Sequence, residues 1–257
     1  MLINSDIEVT PGWLQPLVEW MDTHPQCGVC GPKLHRLGSP DFEYAGAAGG
    51  YLDRYGYPFC RGRVLKRTEE DRGQYDSARN LMWVSGACLM TRASLWKQLG
   101  GLDNRFFAHM EEIDYCWRAQ LAGCTINNVA SSVVYHLGGG TLPQDSPFKL
   151  QLNYRNNLLM LGNNLAATVG AGKARRIIFT RKVLDGCSAM VYLLQGKPAC
   201  FKAVIKAHQE AKRLGKDTQA PSGKAEISGY WDICIILQSM IRGAKIFNYI
   251  RSYENNH

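Results

Sequence analysis

Apolar positions recur first at helical spacing, in Trp13, Leu14, Leu17, Val18 and Met21. Thr10 and Pro11 can open that helix, and Pro25 follows it. A short apolar run, Gly28-Val29-Cys30-Gly31-Pro32, then reads as a strand ending in a turn. Residues 38–80 keep neither the helical nor the strand period; rich in Gly, Tyr, Arg and Asp, they predict a long irregular excursion with room for one hairpin. Loops of that length in compact domains are often functional. Leu81 to Thr91 is apolar with a small-residue centre and predicts a buried strand, in which Gly86 permits close approach by a ligand or another backbone. Ser94 to Leu99 predicts a short helix stopped by Gly100-Gly101. A strand through Val133-Val134-Tyr135-His136 comes next, with Gly138-Gly139-Gly140-Thr141 after it as a loop.

Beyond Pro147 the rhythm turns helical throughout. Helices are predicted at 149–165, 174–195 and 199–214, the last with Phe201, Val204, Ile205, His208 and Ala211 on one face and Lys202, Lys206, Lys212 and Arg213 flanking it. A polar linker spans 215–225, and an amphipathic segment runs from Tyr230 to Tyr253. The expectation is an α/β fold in two parts: a sheet-bearing part, 1–147, and a helical, basic extension, 148–257.

The most distinctive stretch lies between them, from Phe106-Phe107 through Glu111-Glu112-Ile113-Asp114 to Arg118. Ile113, Trp117 and Leu121 share one helix face, so the three carboxylates fall in a first turn, where the macrodipole and free N–H groups favour negative charge. Ordinary helix-start chemistry would account for them if they stood alone.

The 257 residues contain no apolar run long enough to span a membrane and no basic-then-apolar leader, which predicts a cytoplasmic protein or one resting at the inner face of a membrane. The net charge of +8 is uneven. Residues 1–170 hold 15 Lys/Arg and 16 Asp/Glu (−1), and residues 171–257 hold 15 and 6 (+9). A basic tail on a near-neutral body suggests anionic lipid or nucleic acid as a neighbour. No nucleic-acid recognition motif accompanies it, so peripheral membrane contact through the C-terminal helices is the preferred expectation and nucleic-acid binding is not expected. Cys27-Gly-Val-Cys30 has no second pair at zinc spacing, and nine scattered cysteines fit reduced, buried thiols.

Polar stations close two buried strands: Asn4-Ser5-Asp6 after Leu2-Ile3, and His136 after Val133-Val134-Tyr135. Ligands bind beyond the carboxyl ends of strands in open α/β sheets, so Asp6 and His136 could face one crevice and share a divalent cation.

Taken in order, these motifs resemble the family 2 inverting glycosyltransferases of the GT-A fold, in the rhamnosyltransferase-like branch. Leu2-Ile3-Asn4-Ser5-Asp6 is similar to their metal-binding DxD segment, and Trp83-Val84-Ser85-Gly86 to their acceptor-side segment. Phe106-Phe107 with Glu111-Glu112-Ile113-Asp114 resembles their acidic motif, Tyr135-His136 their late histidine, and Tyr154-Arg155-Asn156-Asn157 the Arg-Asn pair that follows. The likeness covers residues 1–165. It implies a partial, Rossmann-like mixed sheet with helices, and a nucleotide-sugar donor held by Asn4 and Asp6. It further implies Mn²⁺ or Mg²⁺ on Asp6 and His136, and a glycan or lipid-linked acceptor beside Trp83, Gly86 and Asp114. The base would be Glu112 or Glu111. Asp114 has a structural reading too, as support for the helix start. Glu112 stands where the family has Asp, which leaves the choice between the two glutamates open. The family also begins with β–α–β units that hold the nucleotide, so the chain is expected to be an N-terminally truncated fragment, inactive alone. The competing readings are a non-catalytic carbohydrate-binding or interaction fragment, or a glycoside hydrolase. The latter needs carboxylates on separate elements flanking a bond, which one acidic turn fits poorly.

Overall fold

The computed structural model describes residues 1–137, 146–215 and 226–256. The glycine loop expected at 138–141 and nearly all of the linker expected at 215–225 lie outside the described residues.

The N-terminal part supplies β1 (Leu2–Ile3), β2 (Ile7–Val9), α1 (Leu14–Thr23) and β3 (Cys27–Arg36). Eight consecutive residues of β3 are buried, which marks a strand covered on both faces and therefore central. Next come four short strands, β4 (Gly50–Asp53), β5 (Pro58–Cys60), β6 (Arg63–Val64) and β7 (Arg67–Thr68). After them stand β8 (Cys88–Thr91), α2 (Ala93–Leu99), α3 (Glu111–Leu121) and β9 (Thr125–His136). The first sheet has the order β1-β8-β3-β9-β2, with β3 parallel to β9 and the other pairs antiparallel. Helix α1 lays Leu17 and Met21 over Cys27, Cys30 and Val129. Both thiols of the Cys-x-x-Cys pair are thereby sealed in packed core.

The helical part supplies α4 (Pro147–Val169), α5 (Ala171–Leu194), α6 (Pro198–Leu214), β10 (Tyr230–Trp231), α7 (Ile235–Arg242) and α8 (Ile246–Asn256). Strand β10 pairs in parallel with β4 and completes a second sheet, β10-β4-β5-β6-β7. The expected irregular excursion is therefore a chain of tight hairpins. Its strands are two to four residues long, too short for alternation to show, and its fifth partner arrives late in the sequence. The strand expected over 81–91 is realised only at Cys88–Thr91; Leu81 to Val84 are buried but join the second sheet through a single bridge, Gly50 to Trp83. Gly50 is required there, because a Cβ would stand 2.1 Å from the Trp83 ring.

One apolar cluster joins the two parts, running from Val29 through Trp83 and Trp117 to Trp231 and Ile250. Tyr51, Trp231 and Tyr253 stack in series at 4.4 and 4.3 Å. The helical part is thus packed against the sheet-bearing part through a shared core. No helix among the described residues is long and apolar enough to cross a membrane.

Helix α5 is inverted in polarity. Its inward face buries Arg181 and Asp185 beside Ala174, Ile177 and Ala189. Arg181 stacks over the Tyr57 ring at 4.0 Å, donates to the Tyr55 carbonyl and the Asn157 side chain, and pairs with Asp185 at 2.7 Å. The buried charges are paired and hydrogen-bonded, as burial demands.

Candidate functional site

Strands β1, β3 and β9 run in the same direction, since β1 and β3 are both antiparallel to β8 and β3 is parallel to β9. Their carboxyl ends therefore open on one edge of the sheet. Asn4 and Asp6 follow β1 there, and His136 ends β9. Ser85-Gly86-Ala87 enters β8 at the same edge, and the Asn4 N–H donates to the Ala87 carbonyl at 2.9 Å.

His136 is buried, with Asp6 and Glu43 on either side of its ring. Asp6 Oδ1 is 3.3 Å from Nε2, and Glu43 Oε2 is 3.3 Å from Nδ1. Neither contact has hydrogen-bond alignment, so both ring nitrogens are buried without a partner. Desolvation depresses the imidazole pKa, but the two carboxylates outweigh it and the net shift is upward. Glu43 also accepts from the Ala45 N–H, which folds its loop back under the ring. A buried imidazole beside a carboxylate, with unsatisfied nitrogens, is the donor set a divalent cation takes. Among the described residues no three His, Cys, Asp or Glu groups form a ready-made cation cage. Asp6 and His136 therefore fit a cation whose remaining positions belong to a ligand or water.

Gly86 links this end of the crevice to α3. A Cβ on Gly86 would stand 3.2 Å from Glu112 Cβ, so the glycine lets the strand entry pass directly over the Glu112 stem. Gly86 precedes Ala87, whose carbonyl takes the Asn4 N–H, so the Glu112 stem lies at the same end of the sheet as Asn4. Desolvation, and then the neighbouring Glu111 charge, push the Glu112 carboxyl up to about 8. Glu111 is also raised, by desolvation. One Oε2 on each is buried without a hydrogen bond. Two like charges in one turn favour holding a proton between them.

The approach to α3 is left-handed: Phe107, His109 and Met110 have φ of 65°, 69° and 71°. Such a run costs on the order of 1–3 kcal/mol per residue and persists only where its surroundings hold it. Here α4 holds it. The Asn156 side chain donates to the carbonyls of Phe106 (2.9 Å), Ala108 (2.7 Å) and His109 (2.7 Å). Arg155 donates to the Phe106 carbonyl at 2.6 Å and to Asn156 Oδ1 at 2.8 Å. Phe107 is left 77% exposed at the mouth of the site.

Two expected acceptor contacts are not where the sequence suggested. Asp114 is completely buried; Arg118 donates to one of its oxygens at 2.7 Å, and Asn163 and Asn164 donate to the other at 2.9 and 2.8 Å. It fastens α3 to α4 and leaves no oxygen for an acceptor. Trp83 is 2% exposed and donates its indole N–H to the Tyr51 carbonyl, so it belongs to the core behind the site. Asn4, Asp6, Gly86 and His136 lie at one end of the sheet, and Gly86 sits against the Glu112 stem at the start of α3. Glu43 was missed. Its one signal is the small-residue run from Ala45 to Gly50 that follows, which lets an acidic loop fold close beneath its neighbours.

No protein-family model matches the chain. In sequence it is 26% identical, over 171 residues, to N-acetylglucosaminyl-diphospho-decaprenol L-rhamnosyltransferase of Mycobacterium tuberculosis, covering 63% of this chain and 54% of that protein. It is 28% identical to O-antigen biosynthesis protein RfbC of Myxococcus xanthus, over 53% of this chain and 10% of that one. It is 31% identical to the low-salt glycan biosynthesis hexosyltransferase Agl10 of Haloferax volcanii, over 51% of this chain and 43% of that one. The chain thus spans about half the length, or less, of the curated relatives it matches. A crystal structure of GalNAc-T7 with UDP, GalNAc and Mn²⁺ aligns with 62% of this chain and 30% of that one, at 15% identity and a TM-score of 0.43, a likeness too distant to decide anything.

Proposed function

We propose, from the premise that this chain is a relative of glycosyltransferases of cell-surface glycan synthesis, that its crevice transfers a sugar from a nucleoside diphosphate donor to a glycan or lipid-linked acceptor with inversion. The observation that supports this most is the Asp6–His136 pair at the strand ends, with the raised-pKa Glu112 against Gly86 at the same end of the sheet. An acceptor hydroxyl attacks the anomeric carbon, the bond from that carbon to the diphosphate oxygen breaks, and the nucleoside diphosphate leaves. Glu112 takes the hydroxyl proton; Gly86 leaves room above its stem. Asp6 and His136 would hold a divalent cation, which supplies charge neutralisation for a diphosphate leaving group. Asn4 lies where the donor side of that group would rest. The chain assayed with Mn²⁺, a panel of nucleoside diphosphate sugars and a polyprenyl-diphosphate-linked acceptor tests the reading. Acceptor-dependent release of nucleoside diphosphate supports it. If release is absent both from this chain and from any longer natural form of it, the non-catalytic reading stands instead.

Glu43 has a defined part in this scheme. A metal-bound imidazole commonly gives its other N–H to a carboxylate, which fixes its tautomer and ring plane. Glu43 lies 3.3 Å from Nδ1, so a small turn of the ring would let it accept that N–H and leave Nε2 on the Asp6 side. Glu43→Gln is expected to weaken Mn²⁺ binding by about 10–100-fold by titration calorimetry. Unchanged affinity in that variant, alongside a loss in His136→Ala, would remove Glu43 from the site.

A further inference from the structure

Helix α5 buries an Arg–Asp pair on its inward face and leaves large apolar side chains exposed on its outer one. Phe179, Val183, Met190 and Leu194 recur at helical spacing on the outer face and are 70%, 50%, 50% and 83% exposed. Val191 and Leu193 widen this face toward the C-terminal end of the helix. From Gly186 to Gly196 no residue is charged. The apolar stripe therefore ends in an uncharged tip, at the turn into α6.

The exposed charges of α5 and of the start of α6 all have one sign. Arg175, Arg176 and Lys182 are exposed on the N-terminal half of α5, and Lys197, Lys202 and Lys206 are exposed just beyond the tip. The sole acid of α5, Asp185, is buried with Arg181, and the sole acid of α6, Glu210, receives hydrogen bonds from Gln151 and Arg155. An apolar stripe with a basic border suits an interface that offers hydrocarbon and anionic headgroups together. It suits a second copy of this chain poorly, because two such borders facing one another would repel.

We propose that the outer face of α5 docks on an anionic lipid surface. Met190, Leu193 and Leu194 enter the acyl boundary, while the lysines and arginines meet the headgroups. The buried Arg181–Asp185 pair keeps the inward face polar, so the apolar residues have no intramolecular partner to turn toward. The inference is independent of the sugar-transfer reading. If both hold, the surface is the one on which a lipid-linked acceptor is presented.

Sedimentation of the full chain with vesicles tests it without any assay of transfer. Binding is expected to equimolar phosphatidylglycerol and phosphatidylcholine, to be weaker to phosphatidylcholine alone, and to fall as salt rises. The exposed double variant Met190→Glu with Leu194→Glu is expected to lose about tenfold or more in vesicle affinity. Leu194→Trp should show blue-shifted emission on the anionic vesicles and quenching by brominated acyl chains. Three outcomes overturn the proposal: no vesicle binding, binding that the double glutamate variant leaves unchanged, or a wild-type dimer that the same variant converts to monomer.

Discussion

Replacing Glu112 by glutamine is expected to make the protein more stable at alkaline pH and to stop transfer. In the folded state the Glu112 carboxyl is pushed up to about 8, above the 4.5 of a free glutamate. The folded state therefore keeps its proton while the unfolded chain gives it up. Stability contributed by the protonated carboxyl is complete below about 4.5 and is lost as pH rises toward about 8. Above that, the native state holds a desolvated carboxylate beside Glu111, at a cost of order 2–4 kcal/mol once partial solvent access is allowed for. Glutamine carries no charge at any pH. Thermal unfolding of the two proteins should coincide near pH 4 and diverge on going to pH 9, the variant leading by roughly 5–10 °C. Transfer should fall by about 10²–10⁴-fold in the variant, and in the wild type should climb as pH approaches about 8 and the base ionises. Parallel unfolding profiles would show that the carboxyl is not raised. If Glu112→Gln keeps its activity and Glu111→Gln loses it, the base is Glu111.

The second large effect is expected at Asn156, far from Glu112 in sequence. Its amide nitrogen shares two N–H donors among three carbonyls of the left-handed approach to α3. Asn156→Ala leaves those carbonyls without that donor and empties the space between them, a loss of about 2–3 kcal/mol. Asn156→Asp keeps the shape and replaces the donor by oxygens facing oxygens. Its expected cost is larger, about 3–4 kcal/mol. Urea unfolding of both variants measures this. Below their melting range the folded variants should keep their Mn²⁺ affinity and lose at least about tenfold in kcat, because the cation ligands stand on β9 and after β1 while the glutamates stand on the loosened turn. Equal stabilities for Asn, Asp and Ala at this position would show that packing, not hydrogen bonding, holds the approach.

Much of this site can be read from the chain. The acidic helix is legible because Ile113, Trp117 and Leu121 fix its inner face, and the structure opens α3 at Glu111. The same helical geometry shows why Asp114 fails as an acceptor contact. Two residues on from Glu112 it points some 200° around the axis, toward the core. Trp83 fails for a related reason, since an indole within a long apolar run has more to gain from burial than from a sugar. Glu43 and the second sheet are not legible, because their placement depends on hairpins too short to carry a period. The place of the Arg155-Asn156 pair follows from α4 crossing behind Phe106, which no local spacing specifies.

Strand β10 has a consequence for how the protein is made. Its two residues pair with Leu52 and Asp53, and the Ile235 N–H donates to the Asp53 carboxylate at 3.0 Å. A ribosome must therefore deliver the residues through Trp231 before the hairpins between residues 50 and 68 gain their parallel neighbour. Closing a loop of that size before its contacts give any return slows assembly.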